Sequence, residues 1–311
     1  MAPARRVALV GTTASGKSEL ALAVARGRPG VELVSVDSMC VYREMDLATA
    51  KPSPEARAEV AHHLVDLVDP GEEFTVAQFQ DAASVALAGI EARGNRALLV
   101  GGTGLYLRAV TDSFTMPGRY PEVAAALKSE SESPEGLAGL FARLGEADPL
   151  AASRIEPGNR RRIVRALEVT VGSGRPFSSF GPGLEHYPPT PVRLLGIPFV
   201  AADVDRRIDQ RFDTWMAEGL VDEVRGLAQR PGGLSRTARQ ALGYRELLAH
   251  VEDGVDLDEA VEAAKRRTRA FARRQWAWFR RDPRITWMGP QDDRAGIVAG
   301  ALETVSYTHL R

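Results

Sequence analysis

The stretch Gly11-Thr12-Thr13-Ala14-Ser15-Gly16-Lys17-Ser18 limits the fold more than any other part of the chain. It fits the pattern G-x-x-x-x-G-K-[ST], with the apolar run Arg6–Val10 in front and an amphipathic pattern over residues 18–26 behind. Such a loop needs a buried strand to launch it and a helix N-terminus to receive it, which implies an α/β architecture. Its glycines let backbone N–H groups turn inward, and the helix end adds positive potential. Lys17 contributes a mobile cation, and the Ser18 hydroxyl is of the type that ligates Mg²⁺. A polyphosphate ligand is expected. The loop alone does not say which one.

Further short apolar runs at residues 32–37, 97–101 and 192–199, with a weaker one at 284–288, read as strands buried on both faces. Helical patterns separate them. One begins at Thr75, with Val76, Phe79, Ala83, Leu87 and Ile90 on one face, a Thr75–Gln78 capping box and Gly94 as its stop. Between 121 and 148 the chain is helical and fairly acidic, 163–171 reads as a second helix, and 172–191 has loop composition. Residues 203–227 read as one helix, and Asp256 with Glu259 caps a long helix reaching Arg280 whose apolar positions include Leu257, Val261, Phe271 and Trp278. The expected fold is therefore α/β, a P-loop parallel-sheet core covered by helices with a helical insertion domain. Residues 1–115 and 191–305 would form the core, 116–190 the insertion, and 306–311 an unstructured tail.

Cys40 is the only cysteine, which excludes a disulfide framework and a Cys-rich zinc site. No apolar run is long enough to span a bilayer and no signal-peptide pattern opens the chain, so a cytoplasmic location without membrane contact is expected. A net charge of −1 conceals an uneven distribution. Five arginines fall between Arg154 and Arg165, and eight basic residues with no acidic one lie between Lys265 and Arg281. Either cluster alone reads equally well as a solvated face. Together they make a polyanion contact worth testing.

Two further turns carry chemistry. Asp37-Ser38-Met39-Cys40-Val41-Tyr42-Arg43 follows the second strand, and a carboxylate at that edge of a parallel sheet faces the ligand crevice. Asp37 can bind Mg²⁺, act as a base, or cap its own loop. The run Leu98-Leu99-Val100-Gly101-Gly102-Thr103-Gly104-Leu105-Tyr106 ends in Gly-Gly-Thr where many P-loop nucleotidases carry a magnesium-orienting aspartate. That argues against ordinary ATP hydrolysis and leaves the Thr103 hydroxyl at the crevice. The adjacent His62 and His63 point in different directions on any regular element, so a structural role outweighs a metal one.

These pieces resemble the tRNA dimethylallyltransferase (isopentenyltransferase) family of the bacterial type, in order along nearly the whole chain. The resemblance is carried by residues 11–18; 37–43 with Met45-Asp46 and Thr49-Ala50-Lys51-Pro52; 62–66; 74–79; 98–106; 162–169; Gly174-Arg175-Pro176; Gly219-Leu220 with Glu223-Val224; 241–246; and 273–280. It implies transfer of a dimethylallyl group from dimethylallyl diphosphate to N6 of the adenine at position 37 of tRNA, next to the anticodon, with pyrophosphate released and Mg²⁺ as cofactor. In that family the P-loop holds the diphosphate, helped by an arginine best matched by Arg211. Asp37 is the implied general base, with Thr103 beside the reacting groups. The anticodon stem-loop would meet Asp37, Ser38, Met39, Cys40, Thr103, Arg161, Arg162, Arg165, Gln240, Gly243, Tyr244 and Arg245. A monomer is expected.

An adenine in a stacked loop must be extruded to reach such a centre, and Tyr42, Tyr106, Phe177 and Tyr244 are the candidate stacking partners. Three positions depart from the family pattern: Cys40 replaces a frequent glutamine, Asn159 a usual aspartate, and Ala124 a common arginine. They bear on RNA affinity more than on reaction type. The rivals are a small-molecule or nucleotide kinase, which would form ADP without tRNA, an adenylate isopentenyltransferase, which would have little use for the two basic clusters, and a non-catalytic nucleotide-binding module that regulates RNA.

Overall fold

The computed structural model describes residues 6–112, 114–181 and 183–305; the tail at 306–311 lies outside them. Arg6–Val10 forms β1, and its alternate residues bury in two different cores, Val7 and Leu9 on one side, Ala8 and Val10 on the other. A strand with no solvent face requires helices over both sides of its sheet. The chain provides them in alternation: Lys17–Arg26 (α1), Val31–Val36 (β2), Pro54–Glu59 (α2), His62–His63 (β3), Val76–Ala92 (α3), Arg96–Gly101 (β4) and Gly104–Thr111 (α4). Pro121–Glu130 (α5), Pro134–Ala147 (α6), Pro149–Ala152 (α7) and Arg160–Ser173 (α8) follow. Then come Val192–Gly196 (β5), Ala201–Ala217 (α9), Leu220–Ala228 (α10), Tyr244–Asp253 (α11), Leu257–Phe279 (α12), Ile285–Trp287 (β6) and Arg294–Glu303 (α13).

The strands form one parallel sheet in the order β3-β2-β4-β1-β5-β6. β4 therefore separates β1 from β2, and Gly101 is in register with both Val10 and Val36. Three neighbouring strands end level, and the loops leaving them share one edge of the sheet.

Two compact units emerge from the packing, one of Met1–Asp112 with Pro189–Arg311 and one of Ser113–Pro188. The smaller has its own apolar core, in which Leu127 and Leu140 meet Leu144, Ile163 and Leu167. Its first two helices start at Pro121 and Pro134, and a proline is well tolerated where an N–H would lack an intrahelical partner.

The structure corrects several expectations about elements. The expected helix over 203–227 is two, α9 and α10, broken at Gly219 with φ 95°. The expected strand at 192–199 stops at Gly196. Ile197 N–H still reaches the Val10 carbonyl at 2.9 Å, but Pro198 has no N–H to continue the ladder. The helix over 121–148 divides near residues 131–133, where Ser133 caps α6. On α12 the buried stripe is Ala260, Ala264, Thr268, Ala272, Gln275 and Phe279; of the large apolar residues expected there, Val261 and Trp278 are only partly buried. The Thr75–Gln78 capping box forms as expected, with bonds of 2.9 and 3.2 Å.

Candidate active site

The loops after β1, β2 and β4 meet at the level edge of the sheet. Thr103 N–H donates to the Val36 carbonyl at 3.3 Å, and Ser38 N–H donates to Thr103 Oγ1 at 3.2 Å. Asp37 Oδ1 accepts from Met39 N–H at 2.8 Å and Cys40 N–H at 3.4 Å, so one carboxylate oxygen shapes its own turn. Among the described residues Oδ2 has no donor, which leaves it available to a ligand.

In the P-loop, Lys17 Nζ donates back to the Thr12 carbonyl at 3.1 Å. Burial lowers its pKa to about 8 and Arg211 adds to the fall, while Asp37 opposes it. Asp37 therefore lies near enough for its charge to act on Lys17. Among the described residues Thr12 Oγ1 and Ser15 Oγ are buried with no hydrogen-bond partner, as hydroxyls lining an anion cradle would be. Ser18 is exposed in the first turn of α1. Ala14, at φ 57°, packs under Val204, Ile208 and Phe212 of α9. That packing brings two arginines of α9 to the loop. Arg207 Nη1 lies 3.5 Å from the Ala14 carbonyl, and Arg211 pairs with Glu19 at 3.6 Å. Burial, reinforced by Arg207, depresses the pKa of Arg211, while Glu19 raises it.

Arg207 was not among the expected site residues, and neither was Gln275. Gln275 is buried on α12, where its Oε1 accepts from Thr13 N–H at 2.8 Å and its Nε2 donates to the Gly102 carbonyl at 2.9 Å. The Thr13 N–H is thereby engaged within the protein. A Cβ at position 102 would collide with the Gln275 amide, and one at 104 with the Trp278 ring. Both glycines are there to let α12 approach. The sequence signal for Gln275 was its place within the matched stretch 273–280.

The residues expected to meet RNA divide by exposure. Arg161, Arg162, Gln240 and Arg245 are exposed, and Ser38 and Met39 are half-buried. Four other expectations need correction. Cys40 is buried with Sγ on the Thr49 carbonyl at 3.5 Å, so its side chain turns into the protein. Tyr244 is fully buried and its hydroxyl donates to Glu223 at 2.5 Å, leaving no ring face for a base. Gly243 is likewise buried, its N–H on Glu246 at 3.0 Å. Arg165 is half-buried and engaged with Glu168 at 2.8 Å and the Pro117 carbonyl at 2.9 Å. Tyr42 and Tyr106 are buried as well, the latter against Phe79 at 4.3 Å between ring centres, and Phe177 packs on the core of the smaller unit.

Asn159 caps α8 by accepting from Arg162 N–H at 3.2 Å, so the departure from aspartate keeps the cap without its charge. Ala124 is buried in the smaller unit. Half of the basic run at residues 265–281 is neutralised. Lys265 and Arg273 pair with Asp213 and Asp205 of α9 at 3.0 and 2.8 Å, Arg269 pairs with Asp209, and Arg267 with Glu246 at 2.7 Å. Among the described residues Arg266, Arg274, Arg280 and Arg281 remain exposed without an acidic partner, Arg274 lying over the Phe271 ring. His63 pairs with Glu32 at 2.6 Å and His62 bonds the Val60 carbonyl at 2.7 Å, both structural roles. No described helix is long and apolar enough to cross a membrane.

Comparison with known proteins finds relatives along most of the chain. The family model described as IPP transferase matches residues 40–282. The chain is 47% identical to a tRNA dimethylallyltransferase of Geobacter metallireducens, over 91% of this chain and 92% of that protein. It is 48% identical to one of Roseiflexus castenholzii, over 90% of each. Among solved structures, a tRNA isopentenylpyrophosphate transferase of Bacillus halodurans superposes with a TM-score of 0.67 at 36% identity, covering 96% of this chain and 97% of that one. A eukaryotic dimethylallyltransferase described as acting on tRNA gives 0.75 at 26% identity, over 88% and 69%.

Proposed function

The chain belongs to the IPP transferase family, and from that premise we propose that it prenylates tRNA, moving a dimethylallyl group from dimethylallyl diphosphate to N6 of adenine 37. The observation that carries this reading is the junction of three loops, with Ser38 bonded to Thr103 and Lys17 electrostatically coupled to Asp37. A diphosphate cradle then faces a carboxylate across a turn that carries a hydroxyl.

An exocyclic adenine amine is a weak nucleophile because its lone pair is delocalised into the ring. Attack on the allylic carbon forms the C–N bond as the C–O bond to diphosphate breaks. The N6 proton goes to Asp37 Oδ2, while Oδ1 stays with the Met39 amide and keeps the carboxylate aimed. Lys17, Arg211 and Arg207 would meet the charge growing on pyrophosphate, together with the Thr12 and Ser15 hydroxyls. Ser18 is the residue placed to hold Mg²⁺, an ion that commonly takes one or two protein ligands and completes its shell with phosphate oxygens and water. Bound there, the ion would neutralise diphosphate charge.

RNA contact is assigned to the exposed Arg161, Arg162, Gln240 and Arg245 and to the turn at Ser38 and Met39. The discriminating experiment supplies dimethylallyl diphosphate or ATP, with tRNA or AMP as acceptor. Pyrophosphate release that requires both tRNA and the prenyl donor supports the proposal. ADP formation, or AMP prenylated as fast as tRNA, would refute it.

A further inference from the structure

α12 crosses behind both the phosphate loop and the Gly-Gly-Thr turn, and one of its side chains touches both. Thr13 offers that side chain a donor and Gly102 an acceptor, at 2.8 and 2.9 Å. A carboxamide answers such a pair from one short planar group, and the two backbone partners fix its orientation. Gln275 is 7% exposed, so water does not compete for either bond. Gly102 lacks the Cβ that would push the amide away. The linkage is long in sequence, 262 residues to Thr13 and 173 to Gly102, and short in space.

The two groups it joins do different work. Thr13 lies in the loop that grips the leaving diphosphate, whereas Gly102 precedes Thr103, whose hydroxyl is bonded to the turn of Asp37. We propose that Gln275 is a positioning residue for prenyl transfer. It sets the distance between the diphosphate cradle and the Thr103–Asp37 side of the site, without itself meeting either substrate. The inference rests on the prenyl-transfer reading above. Reacting atoms must be held near van der Waals contact, so a small drift between the two loops slows the chemical step while each loop still binds its own ligand.

The test compares wild type with Gln275→Met, which keeps the side-chain length and removes the amide, and with Gly102→Ala, whose methyl group displaces that amide. Single-turnover transfer to an anticodon stem-loop RNA is measured at saturating dimethylallyl diphosphate, beside pyrophosphate affinity by calorimetry. Each variant should transfer on the order of 10²-fold more slowly than wild type. Pyrophosphate affinity should stay within about threefold, and the combined variant should lose little more than either alone. If Gln275→Met does not fold, Gly102→Ala decides by the same readouts. Transfer within about threefold of wild type overturns the inference, as does a rate loss matched by an equal loss of pyrophosphate affinity. Failure of both variants to fold would assign Gln275 to stability and overturn it too. A wild-type enzyme that transfers nothing refutes the prenyl-transfer reading, and this inference with it.

Discussion

Asp37 divides its work between two oxygens. Oδ1 holds the Met39 and Cys40 amides, and Oδ2 accepts no hydrogen bond among the described residues. Asparagine at this position can keep the turn but cannot take a proton, whereas alanine loses both functions. Asp37→Asn should therefore fold and bind tRNA normally while its turnover falls by roughly 10²–10⁴-fold. Equal loss of tRNA affinity would show that the carboxylate binds and does not catalyse. Lys17 offers a second test, through pH. Its folded-state pKa of about 8 lies below the ordinary 10.5, so the unfolded chain holds more protons between those values and folding stability gains as pH rises from 8. The ammonium is the form that attracts a diphosphate, so pyrophosphate affinity should fall by up to about tenfold per unit above pH 8. The two trends have opposite signs, and Lys17→Met should abolish both. A pyrophosphate affinity that stays flat across pH 7–9 would contradict the role given to Lys17.

At the scale of elements, legibility followed chain distance. The caps of α3 and α12 are local signals, and both form as the sequence suggests, Asp256 accepting from Glu259 N–H at 3.0 Å. The inner face of α12 was hard to read from hydrophobicity, since apart from Phe279 it is built from alanines, Thr268 and Gln275. Small residues there answer close approach by α9, and Gln275 answers two loops far away in the chain. Arg207 was illegible for the same reason, because only the packing of α9 on Ala14 brings it to the loop. Charge misled in a similar way on α12, where the acidic partners on α9 lie more than fifty residues earlier. The first turn of α8 is different. Arg161 and Arg162 are exposed, and no ion pair holds them among the described residues. Their replacement by alanine should weaken tRNA binding and reduce the salt slope by about 0.7–0.9 for each phosphate no longer neutralised. Arg165→Ala should instead loosen the smaller unit, because it removes the cationic partner of a buried Glu168 and leaves it only the Tyr120 N–H. An unchanged slope in the double variant would make those two arginines solvent-facing and nothing more.

For the molecule as a whole, the P-loop and the doubly covered strands were enough to foresee a parallel sheet with helices on both sides. The order of strands was not foreseen. It arises because β4 enters between β1 and β2, and that insertion sets Thr103 between the phosphate loop and Asp37. Stability has a separate anchor, away from this edge. Arg108 and Asp112 are fully buried, and Arg284 joins Asp112 at 2.7 Å and Asp282 at 2.6 Å. Arg284→Met leaves buried Asp282 without its cation, while Asp112 keeps Arg108, and should cost about 3 kcal/mol of stability. Turnover per folded molecule should not change, as thermal denaturation and active-site titration would show together. The central claim concerns chemistry at the sheet edge, and mass spectrometry of tRNA after incubation with enzyme, Mg²⁺ and dimethylallyl diphosphate tests it most directly. One added dimethylallyl group on the adenine beside the anticodon, matched by released pyrophosphate and lost in Asp37→Asn, is the predicted result. Unmodified tRNA, or a prenyl group that still appears when Asp37 is replaced, would contradict it.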